Sequence, residues 1–580
     1  MAEYHSPQQE PGSERKLILI FALMFLVMLV AQPLLKKYMP QPPAETQKAP
    51  TAPVAAPAAA NTPTARTKVP APQPTVSKQG STEAETVIEN SLYKITFTNR
   101  GGQVKSWVLK KYDDNKGRPL ELLDPAASAK YGLPLSLWTY DEGLRNKVNS
   151  ALYVASGSGT LTAPAQITFE YSDQDLAVVK KFRFDHSYVV QVETSLRYRG
   201  SEVAAFPMWP AGLGDDPSPT SYAGSLVEYQ YNDKIERLNY KKVSGGATVQ
   251  GPFQWASVAD AYFAAAFLPD DPSSATMVTL NNALDVPKDA QHPNPQETVK
   301  VDVLGVAVGN LHGPSVQRIF VGPKSLEVLE SVPVAGISNA SPDLRGLVDY
   351  GWWGILSRPL FVWLKWTHQH VVGNWGWAIV IQTLIITLAL LPLRISQMRS
   401  MLKMQKVAPH VKSIQEKYKK YSLRDPRKQE MQQEISAVYK EHGVNPVGGC
   451  LPLLIQMPFL FAYYRMLNVA IDLRHAPWFW IRDLSASDPY YILPIIMILS
   501  MVLMQRMTPQ VGMDPAQQKM MNIMMPLMMG FIFLRLPAGL NLYYAESNLI
   551  AIAQQAIMNR TSLGREMREI MEKRARKAKK

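Results

Sequence analysis

Apolar residues in this chain are gathered into a few blocks rather than spread at globular spacing. The first block runs from Leu17 to Leu35 behind Arg15 and Lys16. At ~1.5 Å rise per residue, a helix of that length nearly crosses a ~30 Å hydrocarbon core. A cleaved signal peptide also begins with basic residues. This block is long for one, and no A-x-A site closes it, so an uncleaved signal anchor over 1–35 is expected. Residues 36–82 are rich in Pro, Ala, Thr and Gln. They lack the apolar content to bury a core and read as an extended linker. From Glu83 the texture changes to short β-branched and aromatic runs, such as Tyr93–Phe97, Val178–Phe184 and Tyr188–Val192. Gly, Pro, Asp and Asn turns separate them, among them Asn99-Arg-Gly-Gly102 and Ser244-Gly-Gly246. The pattern predicts an antiparallel β-sandwich over 83–335.

Residues 341–373 carry Tyr350, Trp352, Trp353, Phe361, Trp363 and Trp366 around Pro359, with Arg358 and Lys365. Such a stretch predicts an amphipathic helix in a membrane interface, where Trp rings are favoured. Five further apolar blocks lie within 374–557: Asn374–Leu393, Gly449–Ala470, Pro489–Gln505, Asn522–Leu536 and Ala538–Ile557. The last two are separated only by Pro537 and form a tight helical hairpin; local thinning of the bilayer accommodates short spans.

Charge decides which side is which. Between Arg394 and Gly448 there are twelve Lys or Arg against five Asp or Glu, and from Asn559 to Lys580 nine against three. The 471–488 loop has only Arg474 and Arg482 against Asp472, Asp483 and Asp488. The positive-inside rule therefore assigns 394–448 and the 558–580 tail to the cytoplasm. Four spans separate them, so the β domain lies outside and both termini inside, with 36–373 external. The expected fold is an all-α membrane core of five transmembrane helices plus the signal anchor. A large external β-sandwich and a cytoplasmic helical hairpin at 394–448 complete it. In that hairpin Asp425 and Pro426 mark a helix start and Gly443 a helix end. The net charge of +13 thus reflects topology, and no DNA partner is expected. The lone Cys450 forbids an intramolecular disulfide in the outer domain. The 26 methionines cluster toward the C-terminal third, as suits either membrane helices or an adaptable binding surface.

Three stretches carry a resemblance. Asn445-Pro-Val-Gly-Gly-Cys-Leu-Pro-Leu-Leu-Ile-Gln-Met-Pro458, Asp483–Pro494 and Leu536-Pro-Ala-Gly-Leu-Asn-Leu-Tyr-Tyr544 with Ser547-Asn548 closely resemble the YidC membrane protein insertase family. Gly373-Asn-Trp-Gly376 fits as well. The motifs run in order across 345–560; the β domain resembles the family by position and size. The resemblance implies a Gram-negative inner-membrane location, with the outer domain periplasmic. It implies a non-enzymatic insertase and chaperone, with no cofactor or metal, acting on nascent membrane proteins alone or beside the Sec translocon and its accessory subunits. Mitochondrial oxidase-assembly and thylakoid insertases share the five-helix core. The family core is held to contain a hydrophilic groove open to cytoplasm and lipid. The basic tail, with Arg574, Arg576, Lys577, Lys579 and Lys580, would meet the translating ribosome or anionic membrane lipids.

The residues supply candidates for that groove. Gln382, Thr383 and Thr387 interrupt the second span, and Gln456 and Met457 sit between Pro452 and Pro458 in the third. Asn541, Tyr544, Asn548 and Gln555 form a helical stripe in the last. Polar groups at membrane depth face protein or water; equally, such groups glue helices together. The chain departs from the family at Thr387, where the resemblance leads one to expect a groove arginine. Arg394, seven residues on, is a substitute by helical position and is equally placed to be a cytoplasmic anchor. Glu546 lies near mid-bilayer, where a charge needs a partner; Arg465 and Arg535 are candidates, or snorkel to headgroups. No catalytic or metal-binding constellation is found: His368 and His370 are too few, and Gly448-Gly-Cys450 lies too far along the chain for a lipoprotein box. A transporter or channel is the alternative reading and would call for inverted repeats, which are not seen. A purely Sec-dependent assembly factor is another.

Overall fold

The computed structural model describes residues 77–570 except 232–233, 289–293, 295, 335–342, 419–420, 422–424, 445–450, 508–514, 563 and 567–568. The expected anchor, most of the linker and the basic residues Arg574, Arg576, Lys577, Lys579 and Lys580 lie outside the described residues.

Strands run from Glu85 to Pro323 in three sheets. The pairings are antiparallel except that of Glu85–Glu89 with Gly159–Thr162. The runs expected to be strands lie in Tyr93–Thr98, Leu176–Phe184 and Val189–Tyr198. Gly101 and Gly102 take φ of +69° and +54° in the turn between two strands, a conformation open to glycine at no steric cost. Two packed layers were expected; three sheets are found. The strands Phe253–Ala259 and Phe263–Pro269 are buried at every position, because the ten-stranded sheet is covered on both faces at its centre. Phe97 packs on Phe182 with ring centroids 5.1 Å apart, and Tyr112 on Phe263 at 5.6 Å, so one five-stranded sheet covers the large one. Buried Lys180 donates to the carbonyls of Gly101, Gly102 and Leu135 at 2.7–3.0 Å, which pins the glycine turn to this core. Among the described residues four short helices decorate the sheets: α1 (Pro125–Tyr131), α2 (Glu142–Ser150), α3 (Pro219–Gly224) and α4 (Leu326–Glu330).

Among the described residues eight longer helices follow: α5 (Gly354–His370), α6 (Trp375–Ala389), α7 (Leu391–Lys417), α8 (Arg427–Glu441), α9 (Leu451–Val469), α10 (Ile492–Met507), α11 (Pro515–Phe533) and α12 (Ala538–Arg560). In α5, Ser357, Leu360, Phe361, Leu364 and Thr367 form a buried stripe at helical spacing, while Ile355, Val362 and Trp366 are exposed. Asn374 caps α6 through hydrogen bonds from Gly376 and Trp377. A bend of 48° separates α6 from α7 next to Pro392, whose ring cannot continue the preceding turn. Among the described residues no single helix is long and apolar enough to cross a membrane; α6 and α7 together are, and α10 and Ile523–Phe533 are shorter apolar helices. In the hairpin, α8 begins at Arg427, one residue later than expected, and the Asp425 carboxylate still accepts from the Arg427 amide at 3.0 Å. Gly443, at φ +59°, ends it. Val407, Val411, Ile435 and Val444 give the hairpin a small core.

The two halves meet along the 471–488 loop. Val469 and Ile471 enter the β-domain core. Arg474 donates to the Asp113 carbonyl at 3.1 Å and lies 5.5 Å from the Phe263 ring. Lys365 bridges Asp472 and Glu327 at 3.1 Å each. A second contact is ionic: Arg465 near the end of α9 pairs with Asp349 at 2.7 Å, and Arg237, which holds buried Glu228 at 2.7 Å, lies 3.9 Å from the other Asp349 oxygen. Burial raises the Asp349 carboxyl, but Arg465 and Arg237 outweigh it and hold it below the usual carboxylate range. A carboxylate shifted down contributes stability above its ordinary pKa of about 4, and that contribution is lost as the pH falls through the lower folded value. Protease protection of the domain junction is therefore expected to stay constant near neutrality and to fall in acid. Asp349→Asn should weaken it at neutral pH and flatten the acid dependence; unchanged protection in the variant would contradict the clamp.

Candidate functional site

Helix α12 carries two polar faces. It runs parallel to α6, since Gly539 packs on Ile379 and Arg394 bonds Gln554, the same offset in both cases. It runs antiparallel to α9, since Gly539 packs on Leu467 and Tyr543 stacks on Tyr463 at 4.2 Å. The expected stripe is the side turned from α6. There Asn541 is buried and donates to the Phe533 carbonyl at 3.1 Å, closing the α11–α12 turn. Tyr544 lies 5.1 Å from the Phe533 ring. Asn548 donates to Ser500 of α10 at 3.1 Å, and Gln555 to Asn559 at 2.9 Å. These bonds join helices or turns, so on this face helix packing is the better reading.

The other face looks onto α6 and the start of α7. Glu546 and Gln554 lie eight residues apart, a rotation of about 80°. Glu546 is half-buried beside the Thr383 hydroxyl. Arg394 is half-buried and donates to Gln554 Oε1 at 2.9 Å, which places its guanidinium between helices rather than out in solvent. Oε2 of Glu546 and Nε2 of Gln554 are buried without a hydrogen-bond partner among the described residues. Thr383 and Thr387 turn their hydroxyls onto the carbonyls of Ile379 and Thr383 at 2.7 Å each, so both line the slot with donors already used.

Neither candidate cation pairs with Glu546 among the described residues. Arg465 pairs with Asp349, not with Glu546. The antiparallel register puts Glu546 level with Leu460, so Arg465 is about 7.5 Å further along the axis. Arg535 is exposed over the Phe531 ring at 5.9 Å. Gln382 is fully buried, donates to the Leu360 carbonyl at 3.0 Å and accepts from the Tyr463 hydroxyl, so it ties α5, α6 and α9 together. Gln456 and Met457 are half-buried in α9, and Met457 packs on the helical core. Gln554, Ser500 and Tyr463 were not singled out by the sequence. Gln554 stood one residue from the chosen stripe, and only the register of α12 on α6 and α7 reveals its face.

Relatives can now be set beside this geometry. The family model described as the YidC periplasmic domain matches residues 85–363, and that described as the 60Kd inner membrane protein matches residues 366–565. A membrane protein insertase YidC of Geobacter sulfurreducens is 32% identical over 496 residues, covering 81% of this chain and 85% of its own length. One of Haemophilus influenzae is 32% identical over 576 residues, covering 94% of this chain and 97% of its own. The chain belongs to the YidC family of membrane protein insertases. A crystal structure of an active YidC insertase with its first transmembrane domain resolved aligns over 84% of this chain and 94% of that chain, with a TM-score of 0.34 and 20% identity. As a YidC family member, the chain is an inner-membrane protein with a β-rich periplasmic domain.

Within this YidC-type core, stability separates the glue from the slot. Gln382→Leu removes an acceptor from the buried Tyr463 hydroxyl and a donor from the Leu360 carbonyl, at a cost of about 2 kcal/mol. Asn548→Leu removes one interhelical bond of about 0.6 kcal/mol. Thermal unfolding in detergent checks this; equal losses would contradict the assignment of Gln382 as the tie between three helices.

Proposed function

We propose that this chain inserts, folds and helps assemble integral inner-membrane proteins through the slot between α12 and the α6–α7 bend. The observation that carries the reading is the pair of buried, unpartnered groups in that slot, Glu546 Oε2 and Gln554 Nε2, flanking Arg394. Helix glue pairs its polar atoms, as Asn548 and Gln382 do; buried groups left open and gathered beside a cation are suited to water or to the polar segment of a client. A client's polar loop meets hydration there in place of hydrocarbon, where each unpaired backbone group costs several kcal/mol. The client's apolar segment then leaves sideways into lipid, driven by its own hydrophobicity. The exposed apolar residues Leu384, Ile385 and Leu388 on α6, a wall of the slot, suit that exit.

In this proposal α6 with the bend, α9, α10, α11 and α12 are the five spans, and Leu17–Leu35 is a sixth, anchoring one. The parallel run of α6 and α12 and the antiparallel run of α9 support this order. The sixteen residues of α10 reach about 24 Å, less than a ~30 Å core, which favours a thinned bilayer at the slot. Both termini and the α7–α8 hairpin face the cytoplasm, and 36–373 the periplasm. Arg394 takes the place of the groove cation that the resemblance leads one to expect at Thr387. Nascent chains arrive from a ribosome held by the basic tail, with or without the Sec translocon, and lipids surround the spans. The action is non-enzymatic.

Reconstitution into liposomes, with a one-span or two-span client lacking a signal peptide translated beside them, tests the proposal by protease protection. The wild type should insert faster than protein-free liposomes. Arg394→Ala together with Gln554→Leu should lower the rate about tenfold, the size of one charged hydrogen bond lost. Asn548→Leu should change it less than about twofold. No acceleration by folded wild-type protein would overturn the insertase reading, and a silent Arg394→Ala/Gln554→Leu variant would overturn the slot.

A further inference from the structure

The loop between α9 and α10 turns one kind of residue outward and another inward. Over 471–491 the exposed side chains are those of Pro477, Phe479, Arg482, Tyr490 and Tyr491, with Phe479 71% and Tyr490 58% exposed. Trp377, in the first turn of α6, is exposed too and meets the Phe479 ring at 5.7 Å and the Trp478 ring at 5.9 Å. The acids of the loop are all committed elsewhere. Asp488 is buried and accepts from Trp480 Nε1 at 3.1 Å and from the Leu493 amide at 2.7 Å, which caps α10. Asp483 is buried and accepts from the Ser485 amide and hydroxyl at 2.8 and 2.7 Å. Asp472 is bridged to Lys365 at 3.1 Å. Arg482 makes no ion pair or hydrogen bond among the described residues. The outward surface of the loop is therefore aromatic and cationic, and no acid is exposed on it.

The backbone is strained to present these rings. Trp478 and Ile481 exchange backbone hydrogen bonds at 2.7 and 2.8 Å, which closes a two-residue turn on Phe479 and Trp480. Such a turn wants a left-handed first residue, ordinarily glycine. Phe479 takes φ +49° there, and Tyr491 takes φ +57°. A bulky side chain in that region is disfavoured and persists only where its surroundings impose it. Neither ring is buried within the chain, so internal packing does not account for the strain. The loop is also the meeting point of four helix ends. Asn374, which caps α6, donates to the Pro477 carbonyl at 2.9 Å. Asp488 caps α10, the carbonyls of Leu484 and Ala486 cap α12, and α9 ends at Val469 just before the loop. In the span order proposed above these are the outer ends of four spans. The rings thus stand where hydrocarbon gives way to headgroups. Trp and Tyr are favoured at that level, and an arginine beside them reaches lipid phosphates.

We propose that Phe479, Tyr490, Tyr491 and Trp377 form a lip that rests in the headgroup zone of the outer leaflet, with Arg482 on the lipid phosphates. The partner is the lipid surface itself. The proposal rests on the span order given above and adds what the spans leave open, their depth. Exposed aliphatic residues such as Leu384 and Leu388 of α6 are at home anywhere in the hydrocarbon, whereas interfacial rings and cations hold one level. The same loop carries Arg474 into the β domain and caps α12. The lip therefore sets the height of the β domain and of the slot relative to the bilayer surface.

Spin-label depth measurements on the full chain, in nanodiscs of phosphatidylethanolamine and phosphatidylglycerol, test this. In a Cys450→Ser background, nitroxides are attached one at a time through Phe479→Cys, Tyr490→Cys, Leu384→Cys within α6 and Lys116→Cys on an exposed β-domain turn. Oxygen, which concentrates in lipid, and a water-soluble nickel chelate are the two collision probes. The label replacing Leu384 should meet oxygen, and the one replacing Lys116 should meet nickel. The labels replacing Phe479 and Tyr490 should lose nickel access relative to Lys116 and gain oxygen access, at a shallower depth than Leu384. Arg482→Gln should raise nickel access at the label replacing Phe479; no change there removes the arginine from the lip. Nickel access at both ring positions equal to that at Lys116, with Leu384 in lipid, overturns the lip and leaves the span order standing. Low access to both probes means that protein covers the rings, and overturns it as well. Nickel access at Leu384 as high as at Lys116 overturns the span order and the lip with it.

Discussion

Helix α12 has to satisfy neighbours on every side at once, and the helical half is arranged around how it does so. Its first amides, at Ala538 and Gly539, donate to the carbonyls of Ala486 and Leu484, so the 471–488 loop becomes its N-terminal cap. Gly539 lets Leu467 and Ile379 approach; a Cβ there would meet Leu467 at 2.9 Å. Below that level Tyr543 stacks on Tyr463, Asn548 reaches α10, and Gln554 reaches Arg394 at the top of α7. Three helices are thereby set in register on one. The polar slot exists because the α6–α7 bend swings Arg394 onto α12 while Glu546 stays above it, in no ion pair among the described residues.

The loop that caps α12 also carries Ile471 and Arg474 into the β domain. The outer domain is consequently joined to the core through the segment that fixes the top of α12, and through the ionic line Glu228–Arg237–Asp349–Arg465. Replacing a link in that line leaves a buried charge uncompensated, which is the costly direction for such networks.

The sequence was most informative where one physical signal dominated. Apolar block length located the helices, and turn glycines such as Gly101 and Gly102 bounded strands. It was least informative where two signals coincide. Phe253–Ala259 and Phe263–Pro269 lose the alternation that marks a half-buried strand, because both faces are covered, so the third sheet was hidden. Asn541, Asn548 and Gln555 made a convincing stripe, yet periodicity reports only that residues share a face, not which helix that face meets. Gln554, a neighbour in sequence but turned by about 100°, was selected only by the parallel register with α6 and α7. Arg465 was legible as a cation needing a partner; its partner Asp349 is 116 positions away in sequence, beyond any local pattern.

The central claim is that a client enters on the Glu546–Gln554 side of α12. Disulfide crosslinking of a stalled client measures this most directly. In a Cys450→Ser background, single cysteines would replace Ile550 on the slot side, Asn548 toward α10, and exposed Leu549, each tested against a cysteine in the client's first apolar segment. The account predicts that Ile550→Cys crosslinks first and most fully. Crosslinking at Asn548→Cys or Leu549→Cys with none at Ile550→Cys would contradict it.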